Sequence, residues 1–189
     1  MRTKIDYGID LGTTNSAIAR IENGKPTIKK SDMMMDTMPS CITYNVKKDI
    51  LIGQSALGKL KTDRANALKH FRKEKSNTYI EFKRTMGNDI KFSSSNMGKE
   101  FSSEDLSAEV LMKLKSFITD ETVKSIVITV PAKFTMVQKD ATVKAGNLAG
   151  FEHVELLQEP IAASMAYGLD TDNKDGMWMV YDFGGGTFD

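Results

Sequence analysis

Apolar and polar positions divide the chain into a strand-rich first part and a second part that alternates helices with strands. Apolar runs at Ile5–Ile9 and Ser16–Ile21 are typical of strands. Asn23-Gly24 then predicts a tight hairpin turn that leads into a further strand at Pro26–Lys29. We therefore expect three antiparallel strands at the start of the fold.

The second part shows helix signals between buried strands. Ser102 opens a capping-box pattern before a helix whose apolar residues recur at i, i+4. Ser125–Val130 is a continuous apolar run, which is typical of a strand buried in a parallel sheet. Thr135 and Gln138 cap the next predicted helix, and Gly150 is its stop. The remaining predictions are a buried strand at Val154–Leu157, a helix from Pro160 to near Gly168 and a strand at Met177–Tyr181.

Residues 39–100 interrupt this order and predict an inserted smaller subdomain of α+β type. The rest, residues 1–38 and 101–189, predicts an α/β core with a mixed sheet and helices on both faces. The elements predicted inside the insertion are strands at Ser40–Tyr44, Ile50–Ile52 and Tyr79–Phe82, helices at Gln54–Leu60 and Arg64–Phe71, and a turn-rich hairpin at Gly87–Ser95.

Composition and charge narrow the function classes. The chain has 189 residues, 27% of them charged, and a net charge of +1, which argues against nucleic acid and against an anionic membrane as partners. The basic residues of 58–76 have no aromatic platform beside them, so they predict a solvated helix face. Cys41 is the single cysteine, so it cannot form a disulfide within the chain, which fits a reducing compartment. We expect it to pack as a small apolar side chain. Without a signal peptide or a long apolar run, we expect a cytoplasmic protein.

Two similar stretches carry the candidate chemistry: IDLGTTNS at Ile9–Ser16 and YDFGGGTF at Tyr181–Phe188. Glycine lets a backbone approach an anion or adopt positive φ, and successive N–H groups in such a turn bind anions. An aspartate buried at a strand end is costly unless a cation compensates its charge. We therefore expect Asp10 and Asp182 to hold Mg²⁺ opposite a polyphosphate. The lysine-containing P-loop pattern is absent from the sequence.

Five motifs resemble the seventy-kilodalton heat-shock chaperones of the DnaK type. In the order of that family they are GIDLGTTNSAIA, KRTMG, VITVPAKF, QEPIAASMAYGLD and VYDFGGGTFD. The resemblance implies the actin-like ATPase fold (ribonuclease H-like), with a mixed five-stranded sheet and two lobes that close on ATP. Because the chain stops at the second glycine turn, it resembles the first lobe only, and we expect a fragment of a longer protein.

The resemblance also implies roles for individual residues. Lys83 matches a lysine that positions the attacking water and stabilises charge on the γ-phosphate, and Glu159 matches a glutamate near the magnesium waters. Pro131 and Lys139 match positions that relay the nucleotide state to a peptide-binding domain. The implied site residues are catalytic Lys83, Glu159, Asp182 and Thr187; phosphate-binding Gly12, Thr13, Thr14, Asn15, Gly184, Gly185, Gly186 and Thr187; and metal-binding Asp10, Asp182 and Glu159, partly through water.

Two positions depart from the family pattern. Lys139 stands where arginine is common, and Lys133 stands where tyrosine is common. Arginine and lysine are not interchangeable at a bidentate site. The resemblance therefore implies ATP hydrolysis more directly than it implies coupling between domains.

The function implied is that of an ATP-hydrolysing molecular chaperone of the stress response, with ATP or ADP, Mg²⁺ and K⁺ as cofactors. Its implied partners are unfolded or hydrophobic peptide segments, a J-domain co-chaperone and a nucleotide-exchange factor. A sugar or small-molecule kinase and an actin-like filament protein, both of the same fold, remain alternatives. Lys83 and the order of VPAKF and QEP favour the chaperone. The chain by itself is expected to lack ATPase activity.

Overall fold

The computed structural model describes residues 5–70, 76–168 and 179–184 of the chain. Within these ranges eleven strands form three sheets. The strands are β1 (Tyr7–Asp10), β2 (Asn15–Glu22), β3 (Lys25–Ile28), β4 (Met38–Pro39), β5 (Cys41–Tyr44), β6 (Ile50–Ile52), β7 (Thr78–Ile80), β8 (Phe92–Ser94), β9 (Lys99–Phe101), β10 (Ser125–Val130) and β11 (His153–Gln158).

The largest sheet is mixed, as the sequence predicts. Its strands follow the order β11-β10-β1-β2-β3, with β4 beside β2. β1, β10 and β11 are parallel, whereas β2 is antiparallel to both β1 and β3. Asn23 and Gly24 have φ values of 51° and 77°, so the predicted hairpin turn is confirmed. Since the three parallel strands run in one direction, their carboxyl ends meet at one edge of the sheet.

Helices connect and cover these strands. The two predicted capping boxes are confirmed: the Ser102 hydroxyl accepts from the Asp105 amide, and the Thr135 hydroxyl accepts from the Gln138 amide. Gly150, at φ 79°, follows the second of these helices as predicted. The helices in the described ranges are α1 (Gln54–Lys69), α2 (Ser103–Lys115), α3 (Met136–Leu148), α4 (Glu159–Ala166) and a 3-10 helix at Phe82–Thr85.

One continuous apolar core supports the large sheet and the region around β5. Ile9, Leu111 and Ile128 are at most 1% exposed, and Tyr44 on β5 stacks on Phe101 with ring centroids 4.3 Å apart. The sheet β6-β5-β7 is separate from the large sheet, although its apolar side chains join the same core. The boundary between an inserted subdomain at 39–100 and the rest of the chain stays a prediction.

Residues 54–69 form one helix, not the two that the sequence predicts. The expected break between residues 60 and 64 is wrong because residues 61–63 include no glycine or proline. In addition, Asp63 pairs with Lys59 one turn earlier. The basic side chains of α1 are exposed to solvent, which agrees with the predicted solvated face.

The segment that carries Lys83 also differs from the prediction. β7 ends at Ile80, Glu81 adopts a left-handed φ of 56°, and a 3-10 helix follows instead of a strand reaching Phe82. Successive residues of a strand point to opposite faces. In this turn, however, Phe82 and Lys83 are both buried, at 2% and 5% exposure. The turn therefore brings a lysine into the interior.

Two further strand predictions are corrected. The hairpin expected at Gly87–Ser95 lies later in the chain, where β8 pairs with β9. β11 is only partly buried because it is the edge strand of the sheet in the described ranges. The strand predicted at Met177–Tyr181 lies outside the described residues as far as residue 178, and residues 179–181 form no strand.

No helix in the described ranges is long and apolar enough to cross a membrane.

Cys41 is 1% exposed, and burial raises the pKa of its thiol to about 11. Only the thiolate attacks a disulfide reagent. Because the raised pKa leaves the thiol protonated near neutral pH, we expect the folded protein to react slowly with an aromatic disulfide and the denatured protein to react at once. Absorbance of the released thiol would measure both rates. An immediate reaction of the native protein would contradict the burial of Cys41.

Candidate functional site

A cavity of about 530 Å³ lies at the carboxyl edge of the parallel strands. β1 ends in this cavity at Asp10, and α4 begins in it directly after β11. The structure thus brings together the first glycine turn, the predicted metal-site carboxylates and Lys83. The predicted site residues that line the cavity are Asp10, Gly12, Thr13, Thr14, Asn15, Lys83, Glu159, Asp182 and Gly184.

Lys83 and Glu159 form a buried ion pair in this cavity. Lys83 Nζ donates to Glu159 Oε1 at 2.6 Å, and the two side chains are 6% and 14% exposed. The ammonium also lies 5.6 Å from the centroid of the Phe134 ring, within range of a cation–π interaction. Burial of two charges removes their hydration, so such a pair is weak evidence for stability. Its position in one cavity with two aspartates and the first glycine turn favours a chemical role for it.

The carboxylates around the pair influence one another. Burial raises the pKa of Glu159 above its usual value, and the negative charges of Asp10 and Asp182 raise it further, while Lys83 lowers it. Like charges close together oppose ionisation of one another. A cation among Asp10, Asp182 and Glu159 would relieve this repulsion.

Asp10 is exposed, so the expectation of a buried aspartate at the end of β1 is wrong. Its Oδ1 accepts a hydrogen bond from Thr129 Oγ1 at 3.0 Å. The parallel register pairs Ile9 with Ile128 and so sets Asp10 beside Thr129. Sequence reasoning missed Thr129, and the only signal for it was the pairing of β1 with β10. The desolvation argument applies to Glu159 instead of Asp10.

The first glycine turn depends on close packing of its own backbone. A Cβ atom built on Gly12 would lie 2.0 Å from the carbonyl oxygen of Asn15. The φ of Gly12 lies outside the left-handed region, so close approach, and not positive φ, requires glycine here. Thr13 is 8% exposed, whereas Thr14 and Asn15 are exposed at the cavity.

The donor set of the cavity fits magnesium held together with a polyphosphate. Among the described residues no three or more histidine, cysteine, aspartate or glutamate side chains are grouped closely enough to hold a metal ion by themselves. Mg²⁺ typically takes one or two protein carboxylates and fills its other positions with waters and phosphate oxygens. Asp10, Asp182 and Glu159 supply such carboxylates at the cavity wall.

Several predicted residues are not brought to the cavity. Pro131 and Lys139 are not among the described residues that line it. The Pro131 carbonyl accepts from the amide of Phe134, whose ring contacts Lys83. Pro131 is therefore linked to the cavity indirectly, through Phe134. Lys139 lies half-buried on α3. The predicted phosphate-binding residues Gly185, Gly186 and Thr187 lie outside the described residues.

Known proteins match nearly the whole chain. The family model described as Hsp70 protein matches residues 6–189. A chaperone protein dnaK from Thalassiosira pseudonana is 40% identical over 96% of this chain and 32% of its own length. Heat shock 70 kDa protein 7, chloroplastic, from Arabidopsis thaliana is 40% identical over 96% of this chain and 27% of its own length.

A third relative comes from an archaeon. The chaperone protein DnaK of Methanothermobacter thermautotrophicus is 40% identical over 96% of this chain and 30% of its own length. The chain therefore spans about a third of the length of these relatives. Since the family model covers residues 6–189, the chain belongs to the Hsp70 protein family.

Proposed function

We propose that this chain is the first lobe of the ATPase domain of a molecular chaperone, which couples ATP binding and hydrolysis to the binding and release of unfolded polypeptides. The observation that carries the proposal is the buried Lys83–Glu159 pair in one cavity with the first glycine turn and two aspartates. In phosphoryl transfer the protein contributes mainly by positioning the reacting groups and by stabilising the charge on the phosphate. These residues can supply both.

Different residues of the cavity bind the phosphates, stabilise the charge on the γ-phosphate and hold the metal. The N–H groups of Thr13, Thr14 and Asn15 and the hydroxyls of the two threonines bind phosphate oxygens. Lys83 Nζ stabilises negative charge on the γ-phosphate and positions the attacking water, and Glu159 orients that ammonium through their ion pair. Asp10 and Asp182 hold Mg²⁺, directly or through its waters, and Thr129 orients the Asp10 carboxylate. The metal, when bound, neutralises charge on the phosphate oxygens.

The proposal extends to residues and partners beyond the cavity wall. The family resemblance assigns Gly184, Gly185, Gly186 and Thr187 to a second phosphate-binding stretch, and K⁺ accompanies Mg²⁺ and ATP or ADP. Pro131 and Lys139 relay the nucleotide state to a domain that binds hydrophobic peptide segments. A J-domain co-chaperone and a nucleotide-exchange factor act on the complete protein. By itself this chain is proposed to be inactive. Its cytoplasmic location stays a prediction because two matched relatives are named as chloroplastic.

The two alternative functions have no specific support. A sugar kinase needs a general base near an acceptor hydroxyl, and no contact among the described residues specifically indicates one. The matched relatives are named as chaperones and heat-shock proteins. We therefore retain the chaperone ATPase alone.

Asp10→Asn in the full-length protein tests the proposed function directly. Loss of one carboxylate charge is expected to raise the Mg²⁺ concentration needed for half-maximal ATP hydrolysis by about 10- to 100-fold. Magnesium titrations of the hydrolysis rate would measure the change. Asp36→Asn, which removes an exposed carboxylate paired with Lys30, is the matched control and should leave the titration unchanged. Identical magnesium dependence of both variants would exclude Asp10 from the metal site.

A further inference from the structure

Three hydrogen bonds form a closed ring on the buried side of the first glycine turn. The Gly12 amide donates to Ser16 Oγ at 3.1 Å, the Oγ atoms of Ser16 and Ser40 are 2.8 Å apart, and Ser40 Oγ donates to the Gly12 carbonyl oxygen at 2.7 Å. Ser16 and Ser40 are 1% and 3% exposed. Solvent therefore does not replace these bonds.

The direction of each bond in the ring follows from the protons available. A serine hydroxyl carries one proton. Ser40 gives its proton to the Gly12 carbonyl, so Ser16 is the donor in the contact between the two hydroxyls. Each hydroxyl then donates once and accepts once, and all bonds run in the same sense around the ring. Hydrogen bonds aligned in this way strengthen one another.

Ser40 holds a second carbonyl group of the turn through its backbone. Its amide donates to the carbonyl oxygen of Thr14 at 2.8 Å. β4 pairs with β2 so that Pro39 faces Asn15, and this pairing brings Ser40 to the turn. One residue thus binds the carbonyl oxygens of both Gly12 and Thr14. An anion-binding turn works only while its N–H groups, and not its carbonyl oxygens, face the anion.

We propose that Ser16 and Ser40 are positioning residues for the phosphate site. They hold two carbonyl groups of the 12–15 turn and the Gly12 amide in the interior, so that the amides of residues 13–15 are the ones expected to meet the nucleotide phosphates. Neither serine is among the described residues that line the cavity, so both act through the turn. The consequence for nucleotide binding rests on the proposed function, whereas the order of the turn can be measured without nucleotide.

Nucleotide binding gives the first measurement, on Ser16→Ala, Ser40→Ala and the double variant of the full-length protein. We expect the dissociation constant for Mg-ATP to rise about five- to tenfold in each, as for the loss of one or two hydrogen bonds. The double variant should be no weaker than the weaker single variant, because either change opens the ring. Single-turnover hydrolysis should stay within about twofold of the unaltered protein, since Lys83 and the carboxylates are untouched.

Thr43→Val is the matched control. It removes another buried hydroxyl pair, between Thr43 Oγ1 and Thr78 Oγ1 at 2.7 Å, which joins β5 to β7 outside the cavity. The loss of stability should be similar to that in the serine variants. The dissociation constant for Mg-ATP should not change.

Hydrogen–deuterium exchange gives the second measurement, on the same full-length proteins without nucleotide. Peptides that cover residues 12–16 and 39–42 should exchange about tenfold faster in both serine variants. Ser16→Ala removes the acceptor of the Gly12 amide, and Ser40→Ala releases the Gly12 carbonyl oxygen. Either change loosens the turn, whose Thr14 carbonyl oxygen accepts from the amide at position 40. A peptide that covers β10 serves as the internal reference for general destabilisation. Thr43→Val should leave the ratio of turn exchange to β10 exchange as it is.

The outcomes separate this proposal from the proposed function. An unchanged exchange ratio in the serine variants would overturn the positioning role, as would faster exchange with an unchanged Mg-ATP dissociation constant. Faster exchange together with a weaker Mg-ATP complex supports it. If the unaltered protein binds no Mg-ATP while the exchange ratio still rises, the ordering of the turn by the serines stands and the nucleotide function falls.

Discussion

Lys83→Met in the full-length protein is expected to lower the single-turnover rate of ATP hydrolysis by about 100-fold or more, the effect of losing a positioned charge donor. Methionine fills nearly the same volume as lysine and is tolerated in an apolar setting beside Phe134. The substitution therefore removes the ammonium and leaves the packing in place. The change concerns charge that develops during the reaction, so the rate should fall more than the affinity.

Nucleotide affinity in Lys83→Met should fall much less than the rate, since the glycine turn and the Mg²⁺ held by Asp10 and Asp182 would still bind the phosphates. Lys83 lowers the pKa of Glu159, so without it that pKa rises further and the carboxyl group takes up a proton more readily. Uptake of this proton lowers the cost of leaving the carboxylate buried without its partner, so the variant should fold.

Arg84→Met is a matched control for this prediction. Arg84 is the next residue, its side chain is 57% exposed, and it pairs with Glu81 on the surface of the same turn. Both variants replace a basic residue of one 3-10 helix by methionine, yet only Lys83 points into the cavity. Single-turnover hydrolysis and equilibrium ATP binding should be measured on both. A large loss of affinity at an unchanged rate would make Lys83 a phosphate tether, and equal rates in both variants would remove it from the site.

Local signals in the sequence predicted those parts of the fold that depend on neighbouring residues. The capping boxes at Ser102 and Thr135, the hairpin at Asn23-Gly24 and the strand at Ser125–Val130 lie where the pattern predicts them. Each of these signals needs only a few adjacent residues. The left-handed turn at Glu81 had no such signal, because the burial of Phe82 and Lys83 is decided by distant parts of the chain.

In the candidate site, too, local motifs predicted the residues but not the contacts that distant parts of the chain make with them. The paired aspartate–glycine stretches and the family motifs predicted Asp10, Lys83 and Glu159, which line one cavity. The contacts that orient them were not predictable in this way. Thr129 lies 119 residues from Asp10 in the chain, and the two meet only because β1 and β10 are parallel neighbours. Ser40 likewise reaches the glycine turn only through the short pairing of β4 with β2.

The other large effect expected is that of Gly12→Ala, which should weaken Mg-ATP binding by about 10- to 100-fold, as an overpacking cost of about 1–3 kcal/mol implies. The new methyl group would lie 2.0 Å from the Asn15 carbonyl oxygen, which is backbone and cannot turn aside like a flexible side chain. The turn must open to accommodate it. The amides of residues 13–15 would then be displaced from the positions proposed to bind phosphate, and the Gly12 ring with Ser16 and Ser40 would be strained.

Two other glycines give matched controls for Gly12→Ala, and together they separate the turn from a general effect of added methyl groups. At Gly8, on β1 just before the turn, a Cβ would meet only the Val127 carbonyl oxygen at 4.0 Å, so Gly8→Ala should bind Mg-ATP normally. At Gly58, inside α1, a Cβ would meet nothing within 4 Å. Gly58→Ala should therefore stabilise the protein by roughly 0.5–1 kcal/mol, because alanine restricts the unfolded chain.

Thermal unfolding and calorimetric titration with Mg-ATP would measure all three variants. If Gly12→Ala and Gly8→Ala bind Mg-ATP equally well, the 12–15 turn does not hold phosphate. A loss of affinity confined to Gly12→Ala, with Gly58→Ala more stable than the unaltered protein, would instead locate the defect in the close approach of Gly12 to Asn15.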